Sequence, residues 1–157
     1  MKYIIHTDGG SRGNPGPAAI GVVIAGETGD MRHETGRPED NKTGKQLIAE
    51  FGKAIGETTN NVAEYTAVIE ALKYLRHEDM KTGRHEDGKT VHFFLDSALV
   101  VNQMNGLFKV KDNKMRELLT HAKILENELG GNVTYTAVPR EQNKRADELV
   151  NEALDAK

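Results

Sequence analysis

Four acidic residues mark the junctions between strand-like and helix-like stretches of this chain, and they restrict the folds open to it. Asp8 closes the run Lys2-Tyr-Ile-Ile-His-Thr-Asp8 and is followed by Gly9-Gly10; Asp96 ends the apolar run Val91-His-Phe-Phe-Leu-Asp96. Glu64 lies in Thr58-Thr-Asn-Asn-Val-Ala-Glu64-Tyr65, which opens a helical pattern, and Asp147 lies in Asn143-Lys-Arg-Ala-Asp147, early in the last one. Carboxylates set where strands end and helices begin suit a site for hard divalent cations, because Mg²⁺ prefers oxygen ligands. A pair of such ions can clamp the attacking and leaving oxygens of a phosphodiester. A fold that serves this chemistry must bring four distant stretches to one place.

Size and composition narrow the partners. At 157 residues the chain is expected to form one domain, 1–157, with a real core. It has no cysteine, which removes disulfides and thiolate metal sites. No apolar run reaches membrane-spanning length, and Asp8 interrupts the short N-terminal apolar segment, unlike a secretory signal; a cytoplasmic location is the default expectation. The net charge of −3 lacks the basic footprint usual for polyanion binders. Two divalent cations, with four positive charges, would bring that sum to +1, so the metal would supply much of the attraction. Local basic groups occur at Lys109, Lys111, Lys114 and Arg116, and again at Arg140, Lys144 and Arg145; most read as solvated helix faces.

Periodicity predicts the order βββ-α-β-α-α-β-α, an antiparallel start passing into α/β units. Residues 2–8 form the first strand, and Gly9 to Pro17 a Gly/Pro loop expected to support neither helix nor sheet. A strand from Ala18 to about Ala25 leads into a polar connection from Gly26 to Gly44. Gln46–Ile55 fits a third strand, although its apolar residues also suit a helix. Tyr65, Val68, Ile69, Leu72 and Leu75 recur at helical spacing from about Asn61 to His77. A polar loop then carries a duplicated Arg-His-Glu-Asp, at 76–79 and 84–87, read as solvated rather than metal-binding. Val91–Leu95 is a short buried strand, Ser97–Asn105 a short helix, and Met115 to Leu125 another helix stopped by Gly130-Gly131. Val133–Val138 is the final strand, and 143–156 the terminal helix, with Ala146, Leu149, Val150, Ala153 and Leu154 inward.

Thr7-Asp-Gly-Gly-Ser-Arg-Gly-Asn-Pro-Gly-Pro-Ala18, Thr58-Thr-Asn-Asn-Val-Ala-Glu-Tyr65, Asp96-Ser97 and Asn143-Lys-Arg-Ala-Asp147 together resemble type 1 ribonuclease H in content, order and spacing. The resemblance implies a mixed α/β, ribonuclease H-like fold: a five-stranded mixed sheet, three antiparallel strands first, flanked by helices. It implies an endoribonuclease that cuts the RNA strand of RNA–DNA hybrids by a two-metal-ion mechanism, leaving 5′-phosphate and 3′-hydroxyl ends. Mg²⁺ is the implied cofactor, with Mn²⁺ as a substitute. Asp8 would bridge the two ions, Glu64 and Asp96 complete one shell, and Asp147 the other. Asn14, Asn60 and Asn61 would face the minor groove, where the 2′-hydroxyl separates RNA from DNA, and Thr59 would lie near a DNA-strand phosphate. The implied partner is an RNA–DNA hybrid, with double-stranded RNA left open; no membrane association and a monomeric state are expected. Two departures from the family pattern stand out. Where members often carry a histidine, the loop Val138-Pro-Arg-Glu-Gln142 offers only Arg140, which stays protonated and holds a phosphate or helps product leave rather than shuttling a proton. The segment from Gly106 to Arg116 is also too short for a basic helical protrusion, which places the chain with the compact subgroup.

Each acid has a plainer reading. Asp8 can start a turn; Glu64 can serve the helix dipole at the third helical position behind an Asn61 N-cap; Asp96 can cap the helix from Ser97; Asp147 can be an ordinary first-turn acid. Asn14, Asn60 and Asn61 can cap turns and helices. A competing class is a catalytically silent nucleic-acid-binding or scaffolding protein of the same fold, which has no need of a full acidic quartet. A nucleotide-binding enzyme using Gly9–Gly16 is disfavoured, because such a loop opens a helix and Ala18–Ile24 patterns as a strand.

Overall fold

The computed structural model describes residues 1–27, 44–82 and 89–156. Its five-stranded sheet has the order β3-β2-β1-β4-β5. Strands β1 (Lys2–Ser11), β2 (Gly16–Glu27) and β3 (Lys45–Thr58) pair antiparallel in sequence order. Strands β4 (Thr90–Leu95) and β5 (Val133–Ala137) continue the sheet in parallel from β1. The helices are α1 (Asn60–Thr82), α2 (Ala98–Met104), α3 (Asn113–Glu128) and α4 (Lys144–Asp155), with a 3₁₀ turn at Arg140–Gln142. The expected order of elements is thus observed. Among the described residues no helix is long and apolar enough to cross a membrane.

Helix α1 forms where the periodicity places it, and the buried side chains Tyr65, Val68, Ile69, Leu72 and Leu75 make the stripe that meets the sheet. Its N-cap differs from expectation. The Val62 amide donates to Thr59 Oγ1 at 3.2 Å, so Thr59 rather than Asn61 caps the helix. Asn60 is claimed by tertiary bonds: its Oδ1 accepts from the Ser11 amide at 2.9 Å, and its own amide donates to Asn14 Oδ1 at 2.9 Å. The helix also runs past His77 to Thr82, so the first Arg-His-Glu-Asp copy is helical rather than part of a loop. Arg76 there pairs with Glu128 of α3 at 2.9 Å. The second copy, and most of the Gly26–Gly44 connection, lie outside the described residues.

The Gly/Pro segment is also shorter as a loop than its composition suggests. Gly9, Gly10 and Ser11 stay in β1 and pair with Ile20, Ala19 and Ala18 of β2, and Gly16 and Pro17 already belong to β2. Glycine is needed at position 9 for room, since a Cβ there would lie 2.3 Å from the carbonyl carbon of Ala63. Helix α1 therefore lies with its backbone directly on the end of β1. On the other face, a Cβ at Gly21 would sit 2.2 Å from the Ala146 carbonyl oxygen, and one at Gly52 would sit 2.5 Å from that of Leu149. Gly21 is the cross-strand partner of both Asp8 and Gly52, so these three share one sheet face, the face on which α4 rests. The two helices that carry Glu64 and Asp147 thus approach opposite faces of the sheet around Asp8.

Ile5, Ile20, Val22 and Ile24, with Phe93, Leu95 and the α1 stripe, form the core, closed by Val100, Met104, Ala122 and Leu125 of α2 and α3. Phe93 and Tyr135 stack at 5.1 Å between neighbouring strands. Along α4, Ala146, Leu149 and Val150 are buried as expected, and Ala153 and Leu154 are half-buried. The close approach at Gly21 yields a direct test. Gly21→Ala should lower unfolding free energy by about 1–3 kcal/mol, the usual cost of overpacking a tight contact, with an unchanged denaturant m-value; wild-type stability in urea titration would contradict this packing.

Candidate metal centre

The neighbouring parallel strands β1 and β4 pair as far as His6 and Phe94, and Asp8 and Asp96 each lie two residues beyond that pair, side by side. Helix α1 brings Glu64 against the same point. Carboxylate oxygens of Asp8, Glu64 and Asp96 all lie within 4.8 Å of one another. Asp8 and Glu64 are each 7% exposed, so this cluster is sunk into the protein rather than displayed on it. Asp147, in the first turn of α4, is not part of that tight trio but lines the same cleft of about 380 Å³ and lies near enough to Asp8 to raise its pKa. The four acids singled out in the sequence therefore share one site, with three in close convergence and the fourth at its edge.

The local alternatives for these acids resolve individually. Ser97 caps α2, its Oγ accepting from the Val100 amide at 3.2 Å, which leaves Asp96 free of that duty. With Thr59 as cap, Glu64 is the fifth helical residue, and the first turn of α1 holds no acid. Asp147 remains a first-turn acid of α4 while facing the cleft.

Burial and like charge dominate the electrostatics. Loss of solvent, then the charges of Asp96 and Asp147, push the Asp8 carboxyl up to about 8. Burial, followed by Asp8 and Asp96, drives Glu64 well above the usual carboxylate range, and burial raises Asp96 even against the opposing charge of Arg140. The Gly9 backbone amide favours the charged forms of Asp8 and Glu64 and offsets part of this cost. One oxygen of Glu64 is buried with no hydrogen-bond partner, which is rare for an ionisable group. An all-oxygen donor set, an orphaned carboxylate oxygen and proton affinities raised by crowded negative charge fit a hard divalent cation.

Arg140 begins the 3₁₀ turn and leans over the trio, its Nε 3.9 Å from Asp96 Oδ2, with the side chain 80% exposed. Asn14, Thr59 and Asn60 meet at the junction of the β1–β2 turn and the start of α1. Thr59 is occupied as a cap, and Asn61 is half-buried in the helix's first turn. One residue escaped the sequence reading. Asn143 is 1% exposed, and its Nδ2 donates to the Thr7 carbonyl at 2.9 Å while its side chain also favours the charged form of Asp96. It ties β1 to the start of α4. It stands directly before α4 and makes no side-chain capping bond there.

The reverse transcriptase-like family model matches residues 6–153. A bifunctional protein of Mycobacterium tuberculosis is 40% identical over 156 residues, covering 99% of this chain and 36% of that protein; the chain thus spans about a third of that relative's length. The structure of LC11-RNase H1 in complex with an RNA/DNA hybrid is similar, with a TM-score of 0.79 at 43% identity over 98% of this chain and 96% of that one. RNase H1 from the halophilic archaeon Halobacterium salinarum gives a TM-score of 0.77 at 35% identity over 100% of both chains.

The raised Asp8 carboxyl carries a signed consequence for metal-free protein. A group bound more tightly to its proton when folded contributes stability that is complete below its ordinary value of 3.8 and is lost as pH rises towards about 8. With metal chelated, Asp8→Asn should therefore raise the melting temperature by roughly 2–8 °C at pH 8, on the order of 1–2 kcal/mol, and by less at pH 5. Thermal scans showing the variant less stable at pH 8 would contradict this electrostatic account.

Proposed function

This chain belongs to the type 1 ribonuclease H family, and from that premise we propose that it hydrolyses the RNA strand of RNA–DNA hybrids as a divalent-metal-dependent endonuclease. The convergence of the Asp8, Glu64 and Asp96 oxygens within 4.8 Å at the end of β1 and β4 is the observation that carries the reading. A structural role does not call for three crowded carboxylates with two of them buried, since removing water from them is costly unless a cation is bound. The likeness to a solved hybrid complex at 43% identity supports the same substrate class.

In this proposal water attacks the phosphorus, the bond from phosphorus to the 3′-oxygen breaks, and that oxygen leaves as a hydroxyl, so the products carry 5′-phosphate and 3′-hydroxyl ends. Asp8, Glu64, Asp96 and Asp147 would hold two divalent ions, Mg²⁺ by preference and Mn²⁺ as substitute. When bound, such ions supply the Lewis acidity that lowers the pKa of water and neutralises charge on the departing oxygen. The Gly9 amide and Asn143, itself fixed by its bond to the Thr7 carbonyl, favour the charged carboxylates that such ions need. Arg140 carries a permanent positive charge at an exposed position beside Asp96, suited to holding a phosphate and unsuited to passing a proton.

The asparagines read RNA by donation. Asn14 Oδ1 and Asn60 Oδ1 already accept hydrogen bonds inside the protein, so each amide presents its NH₂ group as a donor to groove oxygens, including the 2′-hydroxyl. Asn61 adds a further amide on the same helical turn, and Thr59 marks the helix N-terminus, where backbone amides favour a phosphate.

A labelled RNA–DNA hybrid, duplex RNA and duplex DNA, each incubated with Mg²⁺ or Mn²⁺, test the proposal side by side. The hybrid's RNA strand should be cut, and Asp8→Asn should lower turnover at least about 10³-fold, some 4 kcal/mol of barrier. An intact hybrid that is still bound would turn the reading into that of a silent binding module. Replacing Asn14 and Asn60 together by Ala should raise KM for the hybrid while calorimetric metal affinity stays the same; unaltered hybrid kinetics would remove both from the substrate contact.

A further inference from the structure

Beyond the carboxylates, the cleft continues along one face of α4. Asp147, Asn151 and Leu154 follow each other at helical spacing and all line it, as do Val150 and, from the facing β1–β2 turn, Arg12. Arg12 and Arg140 are the two cationic side chains in this lining, and Arg140 is already committed to the metal end beside Asp96. Arg12 Nη1 instead meets Asp155 Oδ1, at the last residue of α4, at 2.8 Å. Both partners are open to water, with side chains 49% and 67% exposed, so the pair is easily exchanged for another anion. The turn itself is held, because the Arg12 amide donates to the Pro17 carbonyl at 2.8 Å. The guanidinium is thus presented from a fixed backbone, with a carboxylate standing where an anion belongs.

Eight residues of helix separate Asp155 from Asp147, about 12 Å at 1.5 Å per residue. That is on the order of three to four nucleotide steps at ~3.4 Å each along a duplex axis. A nucleic acid whose reacting phosphate lies at the carboxylates and whose backbone follows the cleft brings another phosphate to Arg12. A guanidinium can bind a phosphate bidentately, and its exposed single contact with Asp155 is weak enough to be exchanged for one.

We infer that Arg12 is a substrate-binding residue that takes a backbone phosphate of the hybrid away from the cleavage point, with Asp155 holding its guanidinium at the cleft until that phosphate replaces it. This inference rests on the proposed hybrid-cleaving activity and adds a contact not among those assigned above.

Steady-state cleavage of a labelled hybrid at several salt concentrations separates this from a purely structural strut, using wild type, Arg12→Gln, Arg12→Lys and Asp155→Asn. Loss of the phosphate contact should raise KM about five- to tenfold in Arg12→Gln, with a smaller change in kcat, and make the salt dependence of kcat/KM shallower by about one unit of slope. Arg12→Lys should recover part of the loss. Asp155→Asn should move KM the other way, because it frees the guanidinium and removes a charge that repels the backbone. A strut predicts instead that Arg12→Gln and Asp155→Asn behave alike, both losing melting temperature with KM moving in one direction, and that result overturns the inference. Unchanged KM and salt slope in Arg12→Gln beside an active wild type overturns it too, while leaving the proposed activity standing. Should wild type fail to cleave, that activity fails, and hybrid binding by fluorescence anisotropy decides the role of Arg12: an affinity equal in wild type and Arg12→Gln rejects it, and a weaker one in the variant upholds it.

Discussion

The constraint this fold has to meet is to hold three carboxyl groups close together, two of them buried, against their mutual repulsion. Fully charged, oxygens this close repel by roughly 3–4 kcal/mol per pair at an effective dielectric near 20, and the distances among Asp8, Glu64 and Asp96 put them in that range. Nothing in the cluster's own chemistry favours its assembly in the absence of a cation. The elements that carry the acids must therefore be held by contacts made elsewhere. Those contacts are backbone-tight: α1 lies on β1 at Gly9, and α4 lies on β2 and β3 at Gly21 and Gly52. The glycines give up side-chain packing so that two helices can approach from opposite faces, and the apolar stripe of α1 together with Phe93 and Leu95 anchors the whole.

Charge around the site is graded. At the centre, carboxylates shed water and hold protons strongly; at the rim, Arg140 and Arg12 offer cations that remain exposed and weakly committed. Such an arrangement puts exposed cations at the rim and keeps the crowded acids at the centre. For the hybrid substrate proposed above, a net charge of −3 is no obstacle, because local charges at the cleft and any bound metal act at short range. Asn143 joins centre and scaffold, because one buried side chain bonds a strand carbonyl and favours the charged form of Asp96.

Much of this was legible in the residues. The stripe Tyr65, Val68, Ile69, Leu72 and Leu75 identified α1 and its buried face, and the four acidic signatures identified the residues that meet at the cleft. Legibility failed where a local signal was overruled from a distance. Asn61 has the right chemistry to cap α1, yet Thr59 does so, because bonds from Ser11 and Asn14 fix the neighbouring Asn60 and set where the helix begins. Gly9 and Gly10 look like loop residues by composition, yet they extend a strand, since pairing with β2 and the approach of α1 outweigh the weak strand preference of glycine. Arg76 to Asp79 is polar enough for a loop and is helical, with Arg76 paired to α3.

By itself the sequence determined the kind and order of the elements and the placing of an acid at each critical junction, because helical and strand periodicity and turn chemistry depend on near neighbours. Only the tertiary structure decided that Asp8, Glu64 and Asp96 converge tightly while Asp147 stands at the edge, and that Arg12 meets Asp155. Those outcomes depend on strand register and on how closely two helices settle onto glycine surfaces. Such distances are set by packing across the whole chain, which no local window of residues contains.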